Sequence, residues 1–178
     1  YKYSNNKTLY YVKESSVEYA YKDLIFNNKK LNTSIILCEI LSQLLTEKNS
    51  ELYNFVVNSL IWLDKTKTNY SGFINLFLMK LCKIAGIGPI STSKNAYFLN
   101  IHEGVFHPDN NNISEKLVPN RESRVIKQLC DMEFDELKDY KINSLTHNSV
   151  FNYIIQYISI HLSQLRSLKS VEVIKEII

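Results

Sequence analysis

Residues 73–89 read FINLFLMKLCKIAGIGP, and this stretch decides the fold class. Phe73, Ile74, Phe77, Leu81 and Ile84 recur at the three-and-four spacing of a helix face, and most of the remaining positions are apolar too. The spacing predicts a helix over about residues 69–85 that is apolar almost all round. Gly86-Ile87-Gly88-Pro89 closes it, because Gly accepts the left-handed position after a helix and Pro89 cannot continue one. Lys80 and Lys83 interrupt the run, which falls short of the roughly 18 apolar residues a membrane span needs. No membrane partner is expected.

Outward from this helix the same periodicity continues. Toward the N-terminus, Leu52, Phe55, Val56, Ser59, Leu60 and Leu63 form one stripe of a helix over about 49–63, with Trp62 expected in its core near the end. Before it, a helix is expected from Asn32, as its cap, to about Leu45, with Leu31, Ile35, Leu37, Cys38, Ile40, Leu41, Leu44 and Leu45 on a wide apolar face, and this is expected to be the central helix. Toward the C-terminus, residues 86–120 are irregular, with a short two-stranded piece at 97–100 and 104–106 and a loop at 109–112. Helices follow at about 120–132, 147–162 and from Ser170, as N-cap, to the end. With only four Gly and three Pro in 178 residues, the composition agrees with a mainly α fold.

The opening YKYSNNKTLYYVK, residues 1–13, reads differently: strand, polar turn, strand. A lone hairpin is marginal in water, so these residues are expected to be the last strands of a β domain, occupying 1–15, ahead of a helical domain over 16–178. No signal-peptide pattern is visible at Tyr1, and an intracellular, cytoplasmic chain is expected.

Catalytic patterns are scarce. Cys38, Cys82 and Cys130 are odd in number and far apart, which fits reduced thiols, core or half-buried, better than disulfides or a zinc site. His102, His107, His147 and His161 form no HxxH or HExxH pattern; the loop set His102, Glu103, His107 and Asp109 is the one place where ligands could meet. Gly86 and Gly88 follow a helix rather than a strand, so they end it rather than cradle a phosphate. Asp131, Glu133, Asp135, Glu136 and Asp139 read as a solvated acidic turn. No nucleophile motif is present, and the chain is expected to be no enzyme, with no metal and no cofactor.

Binding signals are stronger. Residues 1–100 carry twelve Lys against seven acids, and residues 101–178 carry nine basic against eleven acidic side chains, so the first part is the basic one within a net charge of +3. In the hairpin, Lys2, Lys7, Tyr10, Tyr11 and Lys13 interleave rings with ammonium groups, as a surface for single-stranded nucleic acid does. The alternative is a half-buried hairpin with Lys on its wet face. Lys80 with Lys83, and Arg166 with Lys169, are spaced three apart and complete the candidate phosphate contacts.

Three stretches together resemble the bacterial RecO family of recombination mediators, most of all its Bacteroidetes members: LCKIAGIGP (81–89), YFLNIHEGVF (97–106) and LRSLKSVEVIKEI (165–177). Their order, with Cys38-Glu39-Ile40-Leu41 and the Leu60–Asp64 helix end between hairpin and loop, extends the resemblance over essentially the whole chain. The resemblance implies an N-terminal OB-fold, of which residues 1–15 would be the last strands, and a helical C-terminal domain. It implies binding and annealing of single- and double-stranded DNA. It also implies docking of the acidic, Phe-ending tail of single-strand-binding protein, partnership with RecR, indirect loading of RecA, and a nucleoid-associated location. Some family members carry a four-Cys zinc site in the irregular loop; no Cys lies between Cys82 and Cys130 here, so zinc is not carried over. The alternative is a helical interaction module that binds an acidic Phe-ending peptide and no DNA.

Overall fold

The computed structural model describes residues 14–45, 48–108, 117–162 and 168–170. The expected hairpin, the 109–112 loop, Arg166 and the C-terminal helix beyond Ser170 lie outside the described residues. Among the described residues the body is ordered by α1 (Asn28–Leu44), α2 (Ser50–Lys65), α3 (Phe73–Ile84), α4 (Asn120–Asp131) and α5 (Ser144–His161). Three short strands, β1 (Ile90–Ser91), β2 (Phe98–Asn100) and β3 (Val105–His107), sit between α3 and α4, and a 3-10 turn (Phe134–Asp139) precedes α5. The chain is mainly helical, as the periodicity predicts.

The central helix is α3 and not, as expected, α1, which packs chiefly on α2. Every residue from Phe73 to Met79 is buried, as are Leu81 and Cys82, and α2, α4, α5 and the 3-10 turn all pack on it. Burying each such side chain is worth about 1.5–3 kcal/mol, so this helix organises the core. It begins at Phe73 rather than near 69, because Asn69 is taken elsewhere: its amide donates to the carbonyls of Leu137 and Tyr140, at 3.1 and 2.5 Å. It ends as expected, with Gly86 at φ +74°. The aromatic side of the core is a stack. Trp62 lies parallel to Phe73 (centroids 5.9 Å apart, 3° between planes) and against Phe134 at 5.4 Å. Trp62 is half-buried rather than fully in the core, and its indole N–H donates to Asp135 at 2.8 Å. The acidic turn is therefore solvated but used: Asp135 receives Trp62, and Glu136 accepts from the Glu133 amide at 2.6 Å.

α1 departs from the expectation. Asn27, not Asn32, caps it, accepting from the amides of Lys29 and Lys30. The buried stripe runs Lys30, Ser34, Leu37, Ile40, Leu41, while Ile35 and Leu45 are nearly half exposed and Cys38 is an exposed thiol. The reason lies at Lys30, which is 1% exposed. Its Nζ donates to the carbonyls of Asp64 (3.2 Å) and Thr66 (2.7 Å), closing the C-terminal end of α2, and pairs with Asp23 at 2.7 Å. Asp64 returns the arrangement. Its buried carboxylate accepts from the amides of Lys22, Asp23 and Leu24, at 3.0, 2.8 and 2.8 Å, and from the Tyr19 hydroxyl at 2.7 Å. Burial opposes its charge, but the Leu24 amide, Tyr19 hydroxyl and the other two amides outweigh that and hold it far below the ordinary carboxylate range.

The irregular segment forms a three-stranded sheet in the order β1-β3-β2. The expected pairing of the second and third strands is present, antiparallel, with Leu99 opposite Phe106. β1, parallel to β3, was not expected from the sequence, because two residues leave no alternation to read. Two tethers seat the sheet on the helices. Tyr157 on α5 donates to the Ile87 carbonyl at 2.5 Å, and His161 Nε2 meets the Ile101 carbonyl at 2.9 Å. Gly104, at φ +69°, lets the turn pass: a Cβ there would stand 2.8 Å from the Tyr157 hydroxyl. At the C-terminal side, Glu39 of α1 accepts from the amides of Lys169 and Ser170, both at 2.8 Å. Among the described residues these amides are capped by a carboxylate from α1, to which the Ser170 hydroxyl also donates, rather than by the Ser170 side chain.

Candidate nucleic-acid interface

α4 carries the most concentrated cationic surface among the described residues. Arg121, Arg124 and Lys127 recur every third residue on its outer face, opposite the buried Ser123, Ile126 and Leu129. The buried side fixes the helix against β2: the Leu99 amide donates to Ser123 Oγ at 2.6 Å, and the Val118 amide to the Leu99 carbonyl at 2.9 Å. This docking sets Tyr97, the residue before β2, beneath the cations. The Arg124 guanidinium lies 4.2 Å from the ring centroid and Lys127 Nζ 4.5 Å. Lys127 is further held by the carbonyls of Ala96 (2.5 Å) and Lys94 (3.1 Å), and Arg124 Nε donates to Asn120 at 2.6 Å. Two cations are thus oriented before any ligand arrives.

Beside them is a cleft of about 550 Å³ between the sheet and α4, lined by Pro89, Ser91, Lys94, Phe106, Lys127 and Asp131 among others. Cys130 also lines it. Burial and the Asp131 charge push its thiol up to about 12, against the pull of Lys83 and Lys127, which are close enough to act on it.

The sequence-predicted contacts divide. Lys83 is exposed in the last turn of α3. Lys80 is half-buried, paired with Glu133 at 2.7 Å and set over the Phe134 ring at 5.8 Å, so its charge is already answered. Lys169 is exposed, with its amide held by Glu39. Lys2, Lys7, Tyr10, Tyr11, Lys13 and Arg166 lie outside the described residues. Sequence reasoning missed Arg121, Arg124 and Lys127, although a three-residue repeat of cations on one helix is a legible signal. In the loop set, His107 pairs with Glu103 at 3.0 Å. Among the described residues no three His, Cys, Asp or Glu side chains converge as a metal site, and no helix is long and apolar enough to cross a membrane.

Comparison with known proteins places the chain among DNA-repair proteins. More narrowly, it belongs to the family described as Recombination protein O C terminal, whose model matches residues 32–171. Similar proteins include the DNA repair protein RecO of Azobacteroides pseudotrichonymphae, 25% identical over 98% of this chain and 73% of that protein. Those of Christiangramia forsetii and Flavobacterium psychrophilum are each 27% identical, over 94% and 98% of this chain and 70% and 73% of the relative. No solved structure matches the chain. Family membership gives the chain a role in DNA repair.

Proposed function

We propose that this chain is a non-enzymatic DNA repair and recombination mediator that grips DNA phosphates through Arg121, Arg124 and Lys127, with Lys94 beside Lys127 and the exposed Lys83 of α3 as a further candidate. The observation that carries the reading is the seating of Arg124 and Lys127 over one aromatic ring, Tyr97. Cations held in place lose little freedom when they meet a phosphate. Because the ring face is occupied by cations, this surface takes phosphates whether or not the bases are paired, which suits both single- and double-stranded DNA. Annealing, engagement of single-strand-binding protein and RecR, and loading of RecA are the expectations that the family adds, in a cytoplasmic setting. On the same reading residues 1–15 are the last strands of an OB-fold and residues 16–178 its helical partner domain.

A second reading has its own observation. The cleft has an apolar floor at Phe106 and Pro89 and a cationic rim at Lys94 and Lys127, the chemistry that an acidic peptide ending in Phe requires. Titration of the chain with labelled oligo-dT, a labelled duplex and, separately, an acidic Phe-ending peptide, each at two salt concentrations, tests both. DNA affinity that falls with salt and is lost in Arg121→Glu/Arg124→Glu supports the mediator. Peptide binding with no DNA binding leaves the interaction module.

A further inference from the structure

Lys127 differs from its neighbour Arg124 in what it still has to give. An ammonium carries three N–H donors. Two of those on Lys127 go to the carbonyls of Ala96 and Lys94, at 2.5 and 3.1 Å. The group also lies 4.5 Å from the Tyr97 ring centroid and 5.8 Å from that of Phe106. Arg124, by contrast, gives only its Nε–H to a side chain among the described residues, Asn120, and keeps the other donors of its guanidinium. A phosphate that takes Lys127 must therefore take it from the backbone.

That backbone is the connection from β1 to β2, residues 92–97. Its ends are pinned to β3: the Thr92 hydroxyl donates to the Phe106 carbonyl at 3.0 Å, and the Tyr97 amide to the His107 carbonyl at 2.9 Å. Between them Ser93, Lys94 and Asn95 are exposed, and one bond crosses the turn, from the Ala96 amide to the Ser93 carbonyl at 3.2 Å. Among the described residues Lys127 is the only side chain of α4 that donates to this turn. Ser93 and Lys94 line one side of the 550 Å³ cleft, and Lys127, Cys130 and Asp131 the other, so the ammonium ties the two sides together. Phe106 lines the same cleft and is only 1% exposed.

We infer that Lys127 is a latch: an anion seated on α4 draws its ammonium from the Ala96 and Lys94 carbonyls, frees the 93–96 turn and opens the cleft toward Phe106. The inference rests on the reading of α4 as a phosphate surface and adds a coupling between that surface and the cleft. Phosphate meets the ammonium with a charge of its own, which a carbonyl lacks, so the exchange favours the anion. Water reaches the exposed turn and replaces the ammonium there. By linkage, opening and anion binding strengthen each other by the same factor.

The test reads Cys130, which lines the cleft and whose thiol is held protonated by burial. It uses the full chain carrying Cys38→Ser, which removes the exposed thiol. Maleimide addition at Cys130, assigned by mass spectrometry, and hydrogen exchange at the Ala96 amide are followed with and without oligo-dT. Oligo-dT is expected to raise both rates about tenfold. Lys127→Met keeps the stem and removes the donors; it should show the raised rates without DNA, with Cys82 still slow, and oligo-dT should add nothing. Bound oligo-dT that leaves both rates unchanged or lowers them overturns the inference, as does a Lys127→Met chain whose Cys130 stays slow. If Lys127→Met also speeds Cys82, the body itself has loosened, and the oligo-dT comparison with Lys127 in place decides. If the chain binds no oligo-dT, the DNA reading falls and the coupling with it, whereas raised rates in Lys127→Met then leave Lys127 as a tether of the cleft alone.

Discussion

The Arg124 guanidinium stacks over the Tyr97 ring at 4.2 Å, across a connection from the strand segment to α4 that no local sequence pattern links. Tyr97 thus acts as a platform for a cation rather than as a stacking partner for a ligand. Replacing it by Leu removes the ring face but keeps an apolar filler. Tyr97→Leu is expected to weaken DNA binding at low salt by about two- to fivefold, the size of one or two exposed cation–ring contacts. Tyr97→Phe should restore wild-type affinity, since the face and not the hydroxyl holds the cations. Anisotropy titration of the two variants reads the difference; equal loss in both would assign the role to the hydroxyl instead.

Asp64 is the most demanding acceptor in the body. Asp64→Ala leaves three backbone N–H groups without their partner and is expected to cost about 3 kcal/mol or more, measured by urea unfolding. The pH dependence has a definite sign. A carboxyl whose folded pKa is depressed contributes fully above the ordinary value of about 3.9 and loses that contribution as the pH falls through the folded value. In wild type the stabilisation should therefore persist through mildly acidic pH and fade only in strong acid. In Asp64→Ala that part of the acid dependence should be absent, and an unchanged acid transition would refute the assignment.

The three cysteines should separate by reactivity. Burial and, for Cys82, the neighbouring Cys130 charge push both thiols up to about 12, whereas Cys38 is exposed. A disulfide reagent at pH 8 is expected to modify one thiol of three in minutes, and the other two only after unfolding. Cys38→Ser should abolish the fast phase. Two fast thiols in the folded wild type would show that the cleft wall at Cys130 is open to the reagent.

Much of this was legible in the sequence. The α3 helix with its Gly86 stop, the start of α2 near residue 49 and the paired second and third strands follow from local chemistry, and local chemistry is what a sequence displays; which helix is central depends on how the helices pack, and the sequence pointed to α1. The start of α1 was not legible, because Lys30 reads as a wet surface residue until the end of α2 is placed against it. Cys38 and Ile35 lie outside the buried stripe for the same reason: the hydrophobic residues of α1 alone mark one face, and the buried Lys30 rotates the helix away from it. At the candidate interface, the Arg121, Arg124 and Lys127 repeat was readable on α4. Its link to Tyr97 and Lys94 was not, since only the docking of α4 on β2 brings them together.

The reciprocal hold of Lys30 on the end of α2, and of Asp64 on residues 22–24, also fixes how the molecule bears tension. A pull applied to the chain ahead of Tyr19 reaches Asp64 before it reaches α1, so the load enters the body at the last turn of α2, beside the Trp62–Phe73 stack. Residues 19–30 then work as a mount rather than a slack tether.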